Sequence, residues 1–403
     1  MKKKLILIII LIIYLIIVFG TEVLYRNKLY EISVEYIEKI KQEGFFHIFY
    51  FFWSMIFLYF MMTTGILVTA LFYPINTFFT YTSIQLILIF IMCILKSLYS
   101  QQRPFWDIYL KQGNETYLPS PTECDGEFGN PSGHALLSTY LLCLWDLFLY
   151  SGFFNKIEGK KKIFIKYFTL FLSIICIIFI TYSRVNRQIH SFNQIIFGTI
   201  LGLAVYFIFC HILEINKVST EEFINCLDKF KYYLIPICII LYTVSLVLGL
   251  TIHNEKEKEY EVILERYCNY VKEQLFGKNT GLNSSLMFDI VGGYLGLLFL
   301  NYKINKFYPD NKNIFYNWNK GEKLNTFKVV LFSFLLPTIL SFLVFLIPHE
   351  NYVLKVVLNN LFFLLYGFLS MGLCLYYGCV LFKKNEITNE EKLLISKEEE
   401  KNT

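Results

Sequence analysis

Long apolar runs alternate with short polar segments along almost the whole chain. A transmembrane helix needs about 20 predominantly apolar residues, and ten runs reach or approach that length. They lie near residues 5–20, 47–73, 79–98, 134–154, 163–182, 191–213, 233–252, 286–302, 327–347 and 355–382. In hydrocarbon the polar backbone must be hydrogen-bonded within each segment. The pattern therefore predicts an all-α protein, a polytopic transmembrane helical bundle of nine or ten spans.

The first apolar run allows two interpretations. It follows three lysines and is intermediate in length between a signal-peptide core and an anchor helix, so residues 1–24 are predicted to be one or the other. Residues 25–382 then form a single transmembrane domain, and residues 383–403 form a charged cytoplasmic tail. Segment 31–41 is predicted to be an amphipathic helix on the membrane surface, with four residues on its apolar face: Ile32, Tyr36, Ile37 and Ile40.

Lysines and glycosylation sequons sort the loops onto the two sides of the membrane. Counting crossings from a cytoplasmic N-terminus places the lysine-rich segments around 156–166 and 303–323 in the cytoplasm, as the positive-inside rule requires. The opposite side receives both N-glycosylation sequons, which begin at Asn114 and Asn283. Because the two signals are independent and agree, the sequon-bearing loops and segment 183–190 are predicted to face the lumen.

The composition agrees with a membrane protein and argues against a nucleic-acid-binding one. Of the 403 residues, 55% are hydrophobic and 17% are charged, whereas soluble domains carry about 25% charged residues. The net charge of +5 is small and spread over many loops, so nucleic acid is not expected as a partner. The ten cysteines show no zinc-site spacing, and only Cys124 and Cys268 fall in predicted luminal loops, where they could form a disulfide.

Two polar segments on the predicted luminal side carry candidate chemistry. Lys96 and Arg103 are two helical turns apart, so they share a face at the end of the third run. Further on, Ser132 is placed to cap a helix, and the free N–H groups of Gly133 and His134 would then favour an anion. Each segment alone also fits an ordinary role, namely a lysine that reaches the lipid headgroups or a capped helix start.

A third segment completes the set. Arg184 offers a forked donor for phosphate oxygens, and His190 begins the next helix, with Gln194 one turn further on. Three cations and a helix N-terminus that converge on one point can neutralise a phosphoryl group, and two histidines can supply a nucleophile and an acid. No carboxylate cluster accompanies them, so neither a divalent metal nor any other cofactor is expected.

These three segments resemble the type-2 phosphatidic-acid phosphatases and vanadium haloperoxidases. The pattern of that superfamily is Lys, six residues, Arg-Pro; then Pro-Ser-Gly-His; then Ser-Arg, five residues, His, three residues, Asp. Gln194 stands at the Asp position, and glucose-6-phosphatases have Gln at the same place. The Gln-Arg-Pro-Phe-Trp run at 102–106, the sequon after it and Cys124 are also similar to that family. The matching residues are Lys96, Arg103, Pro104, Pro131, Ser132, Gly133, His134, Ser183, Arg184 and His190.

The resemblance implies a membrane phosphohydrolase of the endoplasmic reticulum, with its site at the luminal face, that releases phosphate from a sugar phosphate of gluconeogenesis, first of all glucose 6-phosphate. His190 would be the nucleophile, His134 the general acid and base, and Gln194 the residue that orients the nucleophile. The expected partners are a soluble sugar phosphate, the lipid bilayer and a sugar-phosphate transporter. The alternatives are a lipid or polyisoprenyl phosphate phosphatase and, in another class, a transporter or scramblase with a degenerate site. The phosphate would be held by five residues: Lys96, Arg103, Ser132, Gly133 and Arg184.

Overall fold

Every regular element in the part of the chain that the computed structural model describes is a helix. The described residues are 2–40, 45–53, 57–73, 75–112, 128–148, 157–208, 274–308, 324–333 and 352–383, together with single positions between them. In chain order the helices are α1 (Lys2–Lys39), α2 (Phe45–Phe51), α3 (Phe57–Phe72), α4 (Ile75–Tyr99), α5 (Pro104–Gln112), α6 (Gly133–Phe148), α7 (Gly159–Asn186), α8 (Phe192–Phe207), α9 (Gln274–Phe307), α10 (Leu324–Ser333), α11 (Tyr352–Phe368) and α12 (Cys374–Phe382). A π-helical turn, Leu369–Leu373, joins the last two.

Several helices have the length and apolar composition of membrane spans. Four qualify, namely Ile9–Lys39, Ile75–Lys96, Gly159–Asn186 and Leu361–Phe382, and three shorter apolar helices accompany them. Most of the apolar side chains of α7 are exposed, including Ile163, Phe164 and Phe171, which is the pattern of a helix that faces lipid. The prediction of an all-α, multi-pass membrane protein is therefore confirmed. The number of nine or ten spans stays a prediction.

The N-terminal residues form one long helix rather than a short anchor followed by a surface helix. Helix α1 continues through Gly20 to Lys39 and packs against α8 and α5. Its buried positions near the end are Tyr30, Val34 and Ile37. Ile32, which the sequence places on the membrane-facing side of a surface helix, is 43% exposed, so it does not belong to the face that packs on protein. In a membrane chain an apolar residue can face lipid as readily as protein, so hydropathy alone does not select the packed face.

The chain divides into two compact units. The first comprises Met1–Gly65, Ile91–Ile215 and Leu248–Asn279. Within it α6 packs closely on α8. Gly198 and Gly202, four residues apart on one face of α8, permit this approach. A Cβ at Gly198 would lie 2.5 Å from the carbonyl oxygen of Ser132, and one at Gly202 would lie 2.5 Å from that of Leu136. Small residues of this kind let two helix backbones approach closely in membranes.

The second unit comprises Ile66–Phe90, Asn216–Val247 and Thr280–Thr403. Its core includes Phe78, Tyr294 and Leu375, all of them buried. Here too glycines mark a close helix contact, since a Cβ at Gly296 would lie 2.8 Å from the backbone nitrogen of Gly372. The domain limits that the sequence suggests at residues 24 and 382 remain predictions.

Candidate active site

The residues singled out by the three sequence segments lie at helix ends within the first unit. Lys96 is in the last turn of α4, and Arg103 immediately precedes α5. Ser132 precedes α6, which begins with Gly133 and His134, while Arg184 is in the last turn of α7. His190 lies in the short link before α8, and Gln194 is in the first turn of that helix. The cations are buried, with Lys96 7%, Arg184 2% and Arg103 0% exposed.

His190 is the point on which these side chains converge. It is 1% exposed, and burial holds the pKa of its imidazole well below the usual range. Positive charge from four neighbours lowers this pKa further; in decreasing order they are Arg103, Arg184, Lys96 and His134. Arg103 Nη1 lies 3.4 Å from His190 Nε2 and donates to the carbonyl oxygen of Ile189 at 3.3 Å. The structure thus brings together the cations and histidines that the sequence predicts.

Gln194 fixes which nitrogen of His190 carries the proton. Its Nε2 donates to the carbonyl oxygen of Gln102 at 2.9 Å, and its Oε1 accepts the backbone N–H of Ser191 at 3.2 Å. A carbonyl oxygen can only accept a hydrogen bond and a backbone N–H can only donate one, so the orientation of the Gln194 amide is determined. The same Oε1 lies 3.1 Å from His190 Nδ1, which must therefore carry the hydrogen. The lone pair of the neutral ring is then on Nε2, on the side of Arg103.

The backbone of the link between α7 and α8 is tied to Arg184. The N–H groups of Ile189 and His190 both donate to the carbonyl oxygen of Arg184, at 3.1 and 3.2 Å. The chain reverses through Gln188, whose φ of +65° lies in the left-handed region that few non-glycine residues adopt. This turn follows the end of α7 at Asn186, two residues after Arg184, and brings His190 back toward Arg184.

Hydrogen bonds also join the second segment to the other two. The backbone N–H of Gly129 donates to the carbonyl oxygen of Gln101 at 2.8 Å, and that of Ser132 donates to the carbonyl oxygen of Gln194 at 3.0 Å. Ser132 Oγ accepts the N–H of Ala135 at 3.5 Å, which agrees with the predicted cap of α6. Gly133 packs on Met92, because a Cβ there would overlap the sulfur. The loop before α6 is thus held against the first and third segments.

Two buried amides of this network are absent from the sequence interpretation. Asn193 Nδ2 donates to Gln101 Oε1 at 2.9 Å, and Asn193 Oδ1 accepts from Ser191 Oγ at 2.6 Å. These residues tie the start of α8 to the segment before Arg103. Their position in the sequence could have identified them, because both lie beside motif residues at the ends of apolar runs. An amide that is buried there needs a hydrogen-bond partner.

Some of the predicted residues lie elsewhere or outside the described part of the chain. Asn114, Cys124 and Cys268 fall in undescribed segments, and Asn283 lies within α9. Among the residues that the structure describes, no three His, Cys, Asp or Glu side chains form a group suited to a metal ion.

Comparison with known proteins identifies one matching family. Residues 53–217 match the model of the PAP2 superfamily, a range that includes every proposed phosphate-site residue from Lys96 to Gln194 and begins after α1. No curated protein and no solved structure matches the chain.

Proposed function

We propose that the chain is a membrane phosphatase of the PAP2 superfamily, whose model matches residues 53–217, and that it hydrolyses a sugar phosphate, most readily glucose 6-phosphate, through a phosphohistidine. The observation that carries this proposal is the surroundings of His190. Its Nδ1 hydrogen is engaged by Gln194, its Nε2 bears the lone pair, and four positively charged groups act on it. Such a site lacks only the negative charge that a phosphate monoester brings.

In the proposed first step, Nε2 of His190 attacks phosphorus and the bond to the leaving oxygen breaks. His134 gives its proton to that oxygen, so that an alcohol leaves. In the second step a water attacks phosphorus while His134 takes the proton of the water. The phosphorus–nitrogen bond breaks, inorganic phosphate leaves and the lone pair returns to Nε2.

The cations stabilise charge that develops on the phosphoryl oxygens. Lys96, Arg103 and Arg184 are buried, where electrostatic interactions are stronger than in water. The backbone N–H groups of Gly133 and His134, the first two residues of α6, add a helix N-terminus to the same site. Charge supplied in this way replaces the usual contribution of a divalent ion, so turnover is expected without added metal.

A cleft beside the first segment is a candidate position for a polar leaving group, although none of the phosphate-site residues lines it. The cleft has a volume of about 570 Å³, which is within the usual range for small-molecule pockets. Tyr99, Ser100, Gln101 and Gln102 form part of its wall. Its other lining residues are mainly polar or charged: Arg26, Asn27, Tyr30, Glu31, Val34, Glu35, Glu38, Asp107 and Lys111. Acyl chains find little apolar surface in such a cleft, whereas sugar hydroxyls find donors and acceptors.

The luminal face of the endoplasmic reticulum and a partner that transports the sugar phosphate are parts of the same proposal. The resemblance of Gln194 and of the run at 102–106 to glucose-6-phosphatases supports them, as does the distribution of lysines.

The test compares phosphate release from glucose 6-phosphate and from phosphatidic acid. Permeabilised membranes that carry the wild type, His190→Ala or His134→Ala are assayed with EDTA present, with and without vanadate. We expect hydrolysis of the sugar phosphate that His190→Ala abolishes, that His134→Ala slows by about 10²–10⁴-fold and that vanadate inhibits, since it forms a five-coordinate transition-state analogue. Alkaline quench, which preserves the acid-labile phosphorus–nitrogen bond, should trap a phosphoenzyme that is absent in His190→Ala.

Two other outcomes would change the assignment. Hydrolysis of the lipid alone, dependent on His190, would replace the sugar phosphate with a lipid phosphate and leave the catalytic roles intact. Absence of His190-dependent hydrolysis of either substrate would favour the transporter or scramblase alternative.

A further inference from the structure

Helix α1 lies outside the matched PAP2 domain, yet it contacts all three phosphate-site segments. We infer that α1 is a fourth component of the site and is retained in the mature protein. Glu22 and Ser33 are then positioning residues that hold the three segments in place relative to one another. The expected effect of these residues on catalysis rests on the proposed function. The retention of α1 in the mature protein rests on its side-chain contacts alone.

The contact with the second segment is a buried hydrogen bond. Asn130 Nδ2 donates to Glu22 Oε1 at 2.9 Å, and both residues are 0% exposed. Asn130 begins the run that continues with Pro131, Ser132, Gly133 and His134. A carboxylate within an apolar helix is costly and commonly marks a functional position. Here it fixes the residue two positions before Ser132.

The contact with the first segment runs through Arg26, one turn further along α1. Its Nη1 lies 3.8 Å from Glu22 Oε2, and its guanidinium lies 5.5 Å from the ring of Tyr99. Tyr99 is the last residue of α4, three residues after Lys96. A second link follows at Tyr30, whose hydroxyl donates to Asp107 Oδ2 at 2.9 Å, and the same oxygen accepts Gln102 Nε2 at 3.0 Å.

The contact with the third segment caps a helix. Ser33 Oγ accepts the backbone N–H of Phe192 at 2.8 Å and donates its own hydrogen to the carbonyl oxygen of Leu29. Phe192 is the first residue of α8, so its N–H has no acceptor within that helix. The bond fixes the start of the helix that carries Gln194 and directly follows His190.

These four polar residues of α1 share one face. Glu22, Arg26, Tyr30 and Ser33 are spaced by four, four and three residues, the spacing of neighbours along a helix surface. A segment that is only a leader or a lipid anchor has no need of a buried face that matches three separate loops. The hydropathy of α1 does not explain why a carboxylate and a serine are buried in it, whereas the contacts of this face do.

The experiment uses the full chain in membranes. Glu22→Ala, Glu22→Gln and Ser33→Ala are compared with Lys28→Ala, which removes an exposed charge on the same helix. The first readouts are kcat and KM for p-nitrophenyl phosphate and glucose 6-phosphate. A misplacement of about 1 Å can cost about 10²-fold in rate, so Glu22→Ala and Ser33→Ala should lower kcat by about 10–100-fold with a smaller change in KM. Glu22→Gln keeps an oxygen for Asn130 and should recover most of the kcat.

Two readouts do not depend on turnover. The first is the rise in melting temperature caused by orthovanadate, which should be smaller in Glu22→Ala than in Lys28→Ala and should recover in Glu22→Gln. The second is the intact mass and N-terminal sequence of the purified protein, which should contain residues 2–39. Both quantities can be measured even if the wild type hydrolyses neither substrate. That outcome would contradict the proposed function but not the role of α1.

The inference is overturned by any of three results. One is a mature N-terminus beyond Glu22. Another is a wild-type kcat in an active Glu22→Ala enzyme. The third is a vanadate-dependent shift in Glu22→Ala equal to that of the wild type. A uniform loss in Glu22→Ala and Glu22→Gln without recovery would assign the effect to the charge or to folding and would also contradict the positioning role.

Discussion

Gln194 gives His190 an orientation without giving it a charge. The amide oxygen accepts the Nδ1 hydrogen, as a carboxylate would, but it contributes no negative charge to stabilise an imidazolium. Burial and the neighbouring cations already lower the pKa of His190. The proposed nucleophile is therefore neutral at physiological pH, with the lone pair of Nε2 available. It becomes protonated, and inactive, only at a pH well below the usual range for histidine.

The pH dependence of kcat/KM tests this description. In the wild type we expect the acid limb below pH 6.5, because activity is lost only as pH falls through the lowered pKa of His190. Gln194→Asp places a carboxylate near the ring, which should raise the pKa of His190 and move the acid limb to higher pH. Gln194→Asn is the matched control, since it shortens the side chain equally without adding charge. An equal shift in both variants would contradict the electrostatic explanation.

The single residues of the site were predictable where their chemistry is unusual in a membrane chain. Charged groups such as Lys96 and Arg184 stand out against apolar runs because burying them is costly. Amides such as Gln101 and Asn193 stand out less, since their role depends on which loop lies opposite. Their pairing is a tertiary fact that no local pattern contains.

At the scale of helices, the site depends on how closely α6 and α8 approach each other. His134 is in the first turn of α6 and Gln194 in the first turn of α8. The spacing of these two helix starts therefore sets the distance between the proposed general acid and the residue that orients His190. Gly198 and Gly202 determine that spacing, because the backbone of α6 occupies the volume that a side chain would need.

Gly198→Ala should therefore damage both stability and activity. The added Cβ would lie 2.5 Å from the carbonyl oxygen of Ser132, so either the helices separate or the Ser132 loop moves. Overpacking of this kind costs about 1–3 kcal/mol, and we expect a lower melting temperature in detergent together with a reduced kcat.

Gly20→Ala is the matched control, because nothing lies within 4 Å of its Cβ in α1. Removing that helical glycine should leave activity unchanged and stabilise the chain by about 0.5–1 kcal/mol. A wild-type melting temperature in Gly198→Ala would contradict the contact.

The helices themselves followed from hydropathy more readily than their packed faces. Runs such as 163–182 lie within helices, as predicted, but the face of α1 that packs on the protein is set by Tyr30, Val34 and Ile37 and not by Ile32. The polar residues Glu22 and Ser33 would have indicated the buried face better. In a bilayer it is a buried polar group, and not an apolar one, that requires protein beside it.

For the whole molecule, the question is which side of the membrane holds the site. All the phosphate-site residues lie at one end of helix α7, beyond Ser183. Its other end carries the exposed Lys160 and Lys161, about 35–40 Å away at 1.5 Å per residue. The positive-inside rule places those lysines in the cytoplasm, so the site should face the lumen. Neither the sequence nor the described helices fix the total number of spans, but this one helix suffices to orient the site.

Glycosylation tests that orientation directly. The sequon at Asn114 follows α5, the helix that begins directly after Arg103, so its side of the membrane is that of the site. We expect a glycosidase-sensitive mass shift on expression in a eukaryotic secretory pathway, lost in Asn114→Gln and equally in Thr116→Ala, which destroys the same sequon through its other residue. A tag inserted beside Lys161 should meanwhile be accessible only from the cytoplasm. Cytoplasmic accessibility of a tag near residue 114, or luminal accessibility of the one beside Lys161, would invert the topology. It would place hydrolysis on the cytoplasmic face, where a soluble phosphate ester needs no transporter to reach His190.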